Sequence, residues 1–276
     1  MAAACESSGR SYSPLPNEQF DAAHEAYERS SSQQKEIVGD LRRLVAGVRS
    51  GNEQIRMLSV GPGRGMLDLP LIRSLAGAGV TAQYVGVDPN PVACRRFLEG
   101  FEVLDSDGVS LDLRQCGVDD LPPGPSFDLI HAVHSLYYVD DPAATVDCLF
   151  GRLAARGRLV LYQAPHGALN ALAELFWRGD RDKSIWFSDR LESWLIETGR
   201  VFEKRRISAS LDVTGAFDRE DPRGRLILDF ILQTKSCDLD APVRAEALEC
   251  LRAMSRYDGG RWLAPHPVDS FVVFSG

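Results

Sequence analysis

Residues 55–65, Ile-Arg-Met-Leu-Ser-Val-Gly-Pro-Gly-Arg-Gly, restrict the possible folds more than any other stretch of this chain. A short apolar run ends in glycines at 61, 63 and 65, and a helix-like segment follows. That order specifies a buried strand breaking into a tight turn beneath a helix N-terminus. Glycine suits such a turn because it accepts backbone angles that other residues resist. It also has no side chain to hold a ligand away from the main chain. A second apolar run, 82–87, ends at Asp88. A carboxylate at the tip of the next strand can accept two hydrogen bonds from a ribose diol. Together these features describe a nucleoside-binding βαβ unit.

The rest of the chain extends the alternation. Strands are expected at 56–60, 82–87, 110–115, 127–133 and 158–162, and helices at 67–75, from Pro91, and at 142–153. Proline is tolerated at a first helical position because its missing N–H has no partner there anyway. Asp140 or Asp141 is placed to cap the helix near Pro142. The pattern implies a doubly wound α/β fold, a parallel sheet with helices on both faces. Before it, residues 1–17 are rich in Ser, Ala and Pro and are expected to form a mobile N-terminus. Residues 18–50 read as two helices with a break at 30–32. The core is expected over 51–165. From 166 to 276 the pattern changes to helices at 169–177, 190–198, 222–232 and 243–254, with a closing strand at 271–274. The polar stretch 212–265 reads as a helical cap over the sheet's C-terminal edge, where open α/β folds place ligands.

Composition narrows the classes. The 276 residues hold 39 acidic and 31 basic side chains, a formal charge of −8. That argues against nonspecific nucleic-acid or membrane-surface binding, which needs basic patches. No apolar stretch approaches the roughly 20 residues that span a bilayer, and the N-terminus lacks a signal pattern. Six scattered cysteines without a C-x-x-C pair fit buried thiols in a reducing, cytoplasmic setting. No H-E-x-x-H occurs, and no metal is expected.

The dinucleotide fingerprint G-x-G-x-x-G would place its third glycine at 66. Met66 stands there, and the glycine falls at 65. This G-x-G-x-G spacing resembles class I S-adenosylmethionine (SAM)-dependent methyltransferases. More narrowly, the chain resembles the histamine N-methyltransferase family. The likeness rests on the 55–69 segment, on Phe127-Asp-Leu-Ile-His-Ala-Val-His-Ser-Leu-Tyr-Tyr-Val-Asp-Asp141, on Leu228-Asp-Phe230 and on Ser270-Phe-Val-Val-Phe274. It implies a seven-stranded, mostly parallel Rossmann-like methyltransferase fold, N-terminal helices acting as a lid, SAM as cofactor and no metal.

By the same resemblance, Gly61, Pro62, Gly63 and Gly65 lie under the methionine part of SAM. Asp88, followed by Pro89 and Asn90, binds the ribose. Gly117 and Val118 border the adenine, whose amine is held by backbone or by Asp119. Val133 and His134 stand beside the sulfonium. The substrate positions are less well kept. His134 replaces a glutamine, Gln33 a glutamate, Pro267 an asparagine, and Ala168 and Leu172 tryptophans. Tyr137, Tyr138 and Phe230 keep their aromatic character, and Phe20 and Tyr27 add to it. Aromatic faces at Tyr137 and Tyr138 can stabilise a cation. His134 is either a base for a protonated amine or an orienting hydrogen-bond partner, with Tyr137 beside it in the catalytic set. His131, inside the strand, reads as structural.

The expected activity is methyl transfer to a nitrogen of a small imidazole or amine. Transfer to oxygen or sulfur of another metabolite, or SAM binding without catalysis, are the alternatives. The expected partner is the small-molecule acceptor, with no nucleic acid and no membrane, for a monomer or homodimer.

Overall fold

The structure is a computed structural model, and it describes residues 15–48, 54–122, 124, 126–167, 169–172 and 186–275, the side chains of 17 and 18 excepted. Most of the 1–17 segment, Ala168 and the second half of the 169–177 helix lie outside these residues. In chain order the elements are α1 (Asn17–Ser30), α2 (Gln33–Val48), β1 (Ile55–Val60), α3 (Asp68–Gly77), β2 (Ala82–Val87), α4 (Pro91–Glu102), β3 (Val109–Arg114), β4 (Phe127–Val133), α5 (Pro142–Phe150), β5 (Leu153–Gln163), α6 (Ser188–Glu197), β6 (Phe202–Ile207), β7 (Ser210–Asp212), a 3-10 turn (Thr214–Phe217), α7 (Pro222–Leu232), α8 (Ala241–Met254), β8 (Arg256–Asp258), β9 (Arg261–Pro265) and β10 (Val268–Phe274).

Two compact units divide the chain. The larger comprises 34–165, 185–207 and 268–276. Its seven-stranded sheet runs β3-β2-β1-β4-β5-β10-β6. The first five strands are parallel, and β10 is antiparallel to both β5 and β6. Successive side chains of a strand point to opposite faces. Met57 of β1 therefore enters one core with Ile37, Leu41 and Val45 of α2 and Leu71 of α3. Leu58 enters the other, with Val146 of α5 and Leu191 of α6.

Buried carboxylates fasten helices to the antiparallel end of the sheet. Asp40 of α2 accepts from Tyr162 Oη at 3.0 Å and is paired with Arg43 and Arg205. Asp269 of β10 takes both Arg206 nitrogens, at 2.7 and 2.9 Å, and the Ser188 hydroxyl at 2.7 Å. Burial pushes the Asp269 carboxyl up, but the bonds from Arg206 and Ser188 outweigh it and hold the group below its ordinary range.

Three expectations need correction. The helix expected over 142–153 closes at Phe150, and Leu153 already begins the eleven-residue β5. A register shift against β4 between Phe127 and Leu129 accommodates the polar start of that strand. Strand β6, Phe-Glu-Lys-Arg-Arg-Ile, was not anticipated, because it is an edge strand whose charged side chains are exposed. Nor is the 212–265 stretch purely helical.

The smaller unit comprises 1–33, 166–184 and 208–267. It holds α1, α7, α8 and a three-stranded antiparallel sheet, β7-β9-β8. Its core joins Ala26 of α1 to Leu211, Ile227, Leu228 and Leu251. The 18–50 segment, read as one lid, is thus split: α1 belongs to this unit and all of α2 beyond Gln33 to the larger.

Candidate active site

The glycine turn is held from three sides. The Gly61 N–H donates to Val87 O at 2.8 Å, which ties the end of β1 to β2. A Cβ on Gly65, whose φ is +76°, would stand 2.8 Å from Leu69 and Phe97 side-chain atoms. Gly63 differs. Its φ is +58°, yet a Cβ there would meet nothing within 4 Å. Gly65 is therefore required by packing, whereas Gly63 leaves a cradle that a side chain would partly fill. Pro62, between Gly61 and Gly63, is buried.

Asp88 sits at the tip of β2, 7% exposed. Its Oδ2 accepts the Gly63 N–H at 2.9 Å and its Oδ1 the Asn90 N–H at 2.8 Å. The carboxylate is thus locked in orientation, with lone pairs remaining on each oxygen. Asn90 follows Pro89 and caps α4, its side-chain oxygen accepting the Val92 and Ala93 N–H groups. An open glycine cradle beside a carboxylate of fixed orientation is an arrangement that could receive a nucleoside with a polar tail. Further along, Gly117 O accepts the Asp120 N–H at 3.2 Å, and Val118 belongs to the buried cluster of Val85, Val87 and Leu121.

At the end of β4, beyond Val133, the backbone turns sharply. His134 has φ of +53°, left-handed for a residue with a side chain. Its Nδ1 meets the Tyr137 hydroxyl at 3.3 Å, and the two rings stack with centroids 5.8 Å apart. Tyr137 Oη in turn accepts the Ala164 N–H at 2.7 Å. The phenol therefore bridges the ends of β4 and β5, and the histidine is presented on a strained residue, a common property of functional positions. Tyr138 is 71% exposed. Ser135, which sequence reasoning did not single out, donates to Val60 O at 2.5 Å and closes the gap between β4 and the glycine turn.

Beneath the turn lies a buried polar cluster. Asp68 Oδ1, at the start of α3, receives Ser59 Oγ at 2.6 Å and Tyr84 Oη at 2.5 Å, and His131 Nε2 lies 3.2 Å away. Three strands are thereby tied to one helix start. Burial, then the Asp68 charge, drives the Tyr84 phenol well above its ordinary pKa. Asp68 was not anticipated, because an acid in a first helical turn usually needs no buried partner.

The smaller unit gathers the remaining predicted positions. Phe230 packs on Phe20 at 5.5 Å, on Tyr27 at 4.5 Å and, stacked, on His24 at 5.0 Å between ring centroids. Gln33, 5% exposed, donates from Nε2 to His266 O at 3.1 Å. His266 joins the group through Tyr27 Oη at 2.8 Å and Ser31 Oγ at 2.7 Å. Nothing in its local sequence, Ala-Pro-His-Pro, signalled this.

A family profile described as a methyltransferase domain matches residues 31–199, more than half of the chain. The chain belongs to the methyltransferase domain family. Its seven-stranded sheet and glycine turn place it among the class I SAM-dependent methyltransferases. It is 26% identical over 220 residues to histamine N-methyltransferase of Rattus norvegicus, covering 72% of this chain and 73% of that one. It is 28% identical over 238 residues to carnosine N-methyltransferase 2 of Gallus gallus, covering 78% and 73%. Among solved structures, magnesium protoporphyrin IX methyltransferase of Synechocystis PCC 6803 superposes with a TM-score of 0.52 at 15% identity, over 97% of this chain and 90% of that one. The last likeness concerns the methyltransferase fold.

Proposed function

We propose that this methyltransferase moves the methyl group of SAM to a nitrogen of a small molecule. The observation that carries the reading is the open cradle at Gly63 with Asp88 fixed beside it. The similarity to histamine and carnosine N-methyltransferases favours nitrogen as the acceptor atom. When bound, SAM supplies an activated methyl on a sulfonium, which an acceptor lone pair displaces in line.

The chain's own residues then have separable tasks. Backbone at Gly61 to Gly65 receives the amino-acid end of the cofactor, and Asp88 accepts from the ribose hydroxyls. Val118 closes the adenine side. His134, on its strained turn, receives or orients the acceptor's proton, and Tyr137 Oη, bound to Ala164 N–H, fixes the imidazole. Phe20, Tyr27, Gln33 and Phe230 form the acceptor-binding surface of the smaller unit.

The test is release of S-adenosylhomocysteine from SAM with histamine, carnosine, and a panel of phenols, thiols and small acids. Turnover is expected with a nitrogen acceptor. Turnover confined to phenols or thiols would move the acceptor atom to oxygen or sulfur, and no SAM affinity at all would end the reading.

A further inference from the structure

Tyr27 and Ser31 stand at the end of α1, Gln33 opens α2, and His266 follows β9. Ser31 Oγ accepts the Gln33 backbone N–H at 3.0 Å and meets His266 Nδ1 at 2.7 Å. Tyr27 Oη meets His266 Nε2 at 2.8 Å. Burial lowers the imidazole pKa to about 4, so near pH 7 the ring is neutral and carries one proton. Three protons, from Ser31, Tyr27 and the ring, serve the two contacts of His266, so one of them is spare. If Nδ1 carries the ring proton, it donates to Ser31 Oγ, Tyr27 donates to Nε2 and the Ser31 proton is spare. If Nε2 carries it, Ser31, which already accepts from Gln33, donates to Nδ1, and Tyr27 Oη accepts from Nε2. The second pattern leaves the spare donor on the residue that lines a cavity.

In that second pattern the phenolic proton of Tyr27 is left over. Among the described residues, His266 is the hydrogen-bond partner of that oxygen, and on this assignment it acts as donor. Tyr27 also lines a cavity of about 60 Å³ with Leu169, Asn170, Phe230, Ile231 and Gln233. By this measure one water needs about 10–15 Å³, so the space has room for a functional group of a ligand.

We propose that Tyr27 is a specificity-determining donor for the acceptor molecule, giving its phenolic proton to a ligand lone pair, and that His266 and Ser31 are positioning residues that fix its direction. The ligand class is a small molecule bearing a carbonyl, carboxylate or unprotonated nitrogen. An ammonium group only donates, and would face a donor. This inference rests on the small-molecule reading above and deepens it.

The first measurement is a long-range proton–nitrogen correlation spectrum of the full-length protein at pH 7, with His266 assigned by its loss in His266→Gln. The Nε2–H tautomer is expected. An Nδ1–H tautomer or an imidazolium overturns the proton assignment. The second compares benzamide with benzylamine, a carbonyl against an ammonium on the same ring, by chemical-shift titration in the presence of S-adenosylhomocysteine. Benzamide should bind wild type about fivefold more tightly or better, and Tyr27→Phe should erase the preference. Equal affinities, preference for the amine, binding of neither, or an unchanged ratio in Tyr27→Phe sinks the proposal. Calorimetry with SAM on the same samples keeps the two failures apart. Lost SAM affinity counts against methyl transfer, and a lost benzamide preference counts against Tyr27 alone.

Discussion

Asp88 Oδ2 accepts the backbone N–H of Gly63 at 2.9 Å, so the acid at the tip of β2 sets the shape of the turn after β1. On the proposed reading, the residue that braces the loop is also the one that binds the ribose. Because its other oxygen takes the Asn90 N–H, neither position tolerates an amide nitrogen. Asp88→Asn places an NH2 group against a backbone donor whichever way it turns. SAM affinity should fall at least about tenfold by calorimetry, nearly as far as in Asp88→Ala. An unchanged dissociation constant would remove Asp88 from the site.

The two glycines of positive φ that flank Arg64 should fail differently when changed to alanine. Each substitution costs about 1–2 kcal/mol of backbone strain. At Gly65 the new methyl also collides with Leu69 and Phe97, the latter fully buried, so thermal stability should drop well beyond the strain. At Gly63 the methyl enters open space, so the fold should tolerate it while SAM binding is lost. Unchanged SAM affinity in Gly63→Ala would mean that the Gly63 cradle has no ligand role.

Much of this arrangement was legible in the chain. The runs at 82–87 and 127–133 became strands with those bounds, because continuous apolar runs between turn residues have few other solutions. Asp88 was readable because strand tips repeat their function across open α/β folds. The edge strand β6 was not, since exposure on both faces removes the alternation that marks a strand. Asp68 and His266 were invisible for another reason. Their roles come from partners far along the chain, Tyr84 and His131 for one, Tyr27 for the other, and no local pattern encodes such meetings.

The Asp68 cluster predicts a large structural effect. Asp68→Ala strands the Ser59 hydroxyl in the core and leaves Tyr84 Oη and His131 Nε2 only their 3.2 Å contact with each other, and an unmet buried polar group costs about 1–3 kcal/mol. Tm should fall by several degrees or more. Tyr84→Phe, which removes one donor and leaves two, should cost less. If the order were reversed, the carboxylate would not be the hub.

His134 offers a trade between stability and activity. Its left-handed backbone favours glycine, so His134→Gly relieves strain while deleting the imidazole that meets Tyr137. The variant should melt no lower than wild type, bind SAM normally and lose turnover by about tenfold or more. Wild-type turnover would make the histidine a bystander.

The last expectation concerns acid. His266 has a folded pKa of about 4, lowered by burial from an ordinary value of 6.5. Between those two values the unfolded chain binds a proton that the folded protein refuses. Unfolding is therefore favoured by protons, and stability should decline as pH falls from 6.5 towards 4, then stop declining on this account once both states are protonated. Asp269, held below its ordinary range, adds a loss at still lower pH as its pairing with Arg206 is protonated away. In His266→Gln, which keeps a hydrogen-bonding side chain without a titration, Tm should be flatter with pH between 6.5 and 4 than in wild type. Parallel curves for the two proteins would show that His266 is not buried neutral, and with it the donor role of Tyr27 would lose its basis.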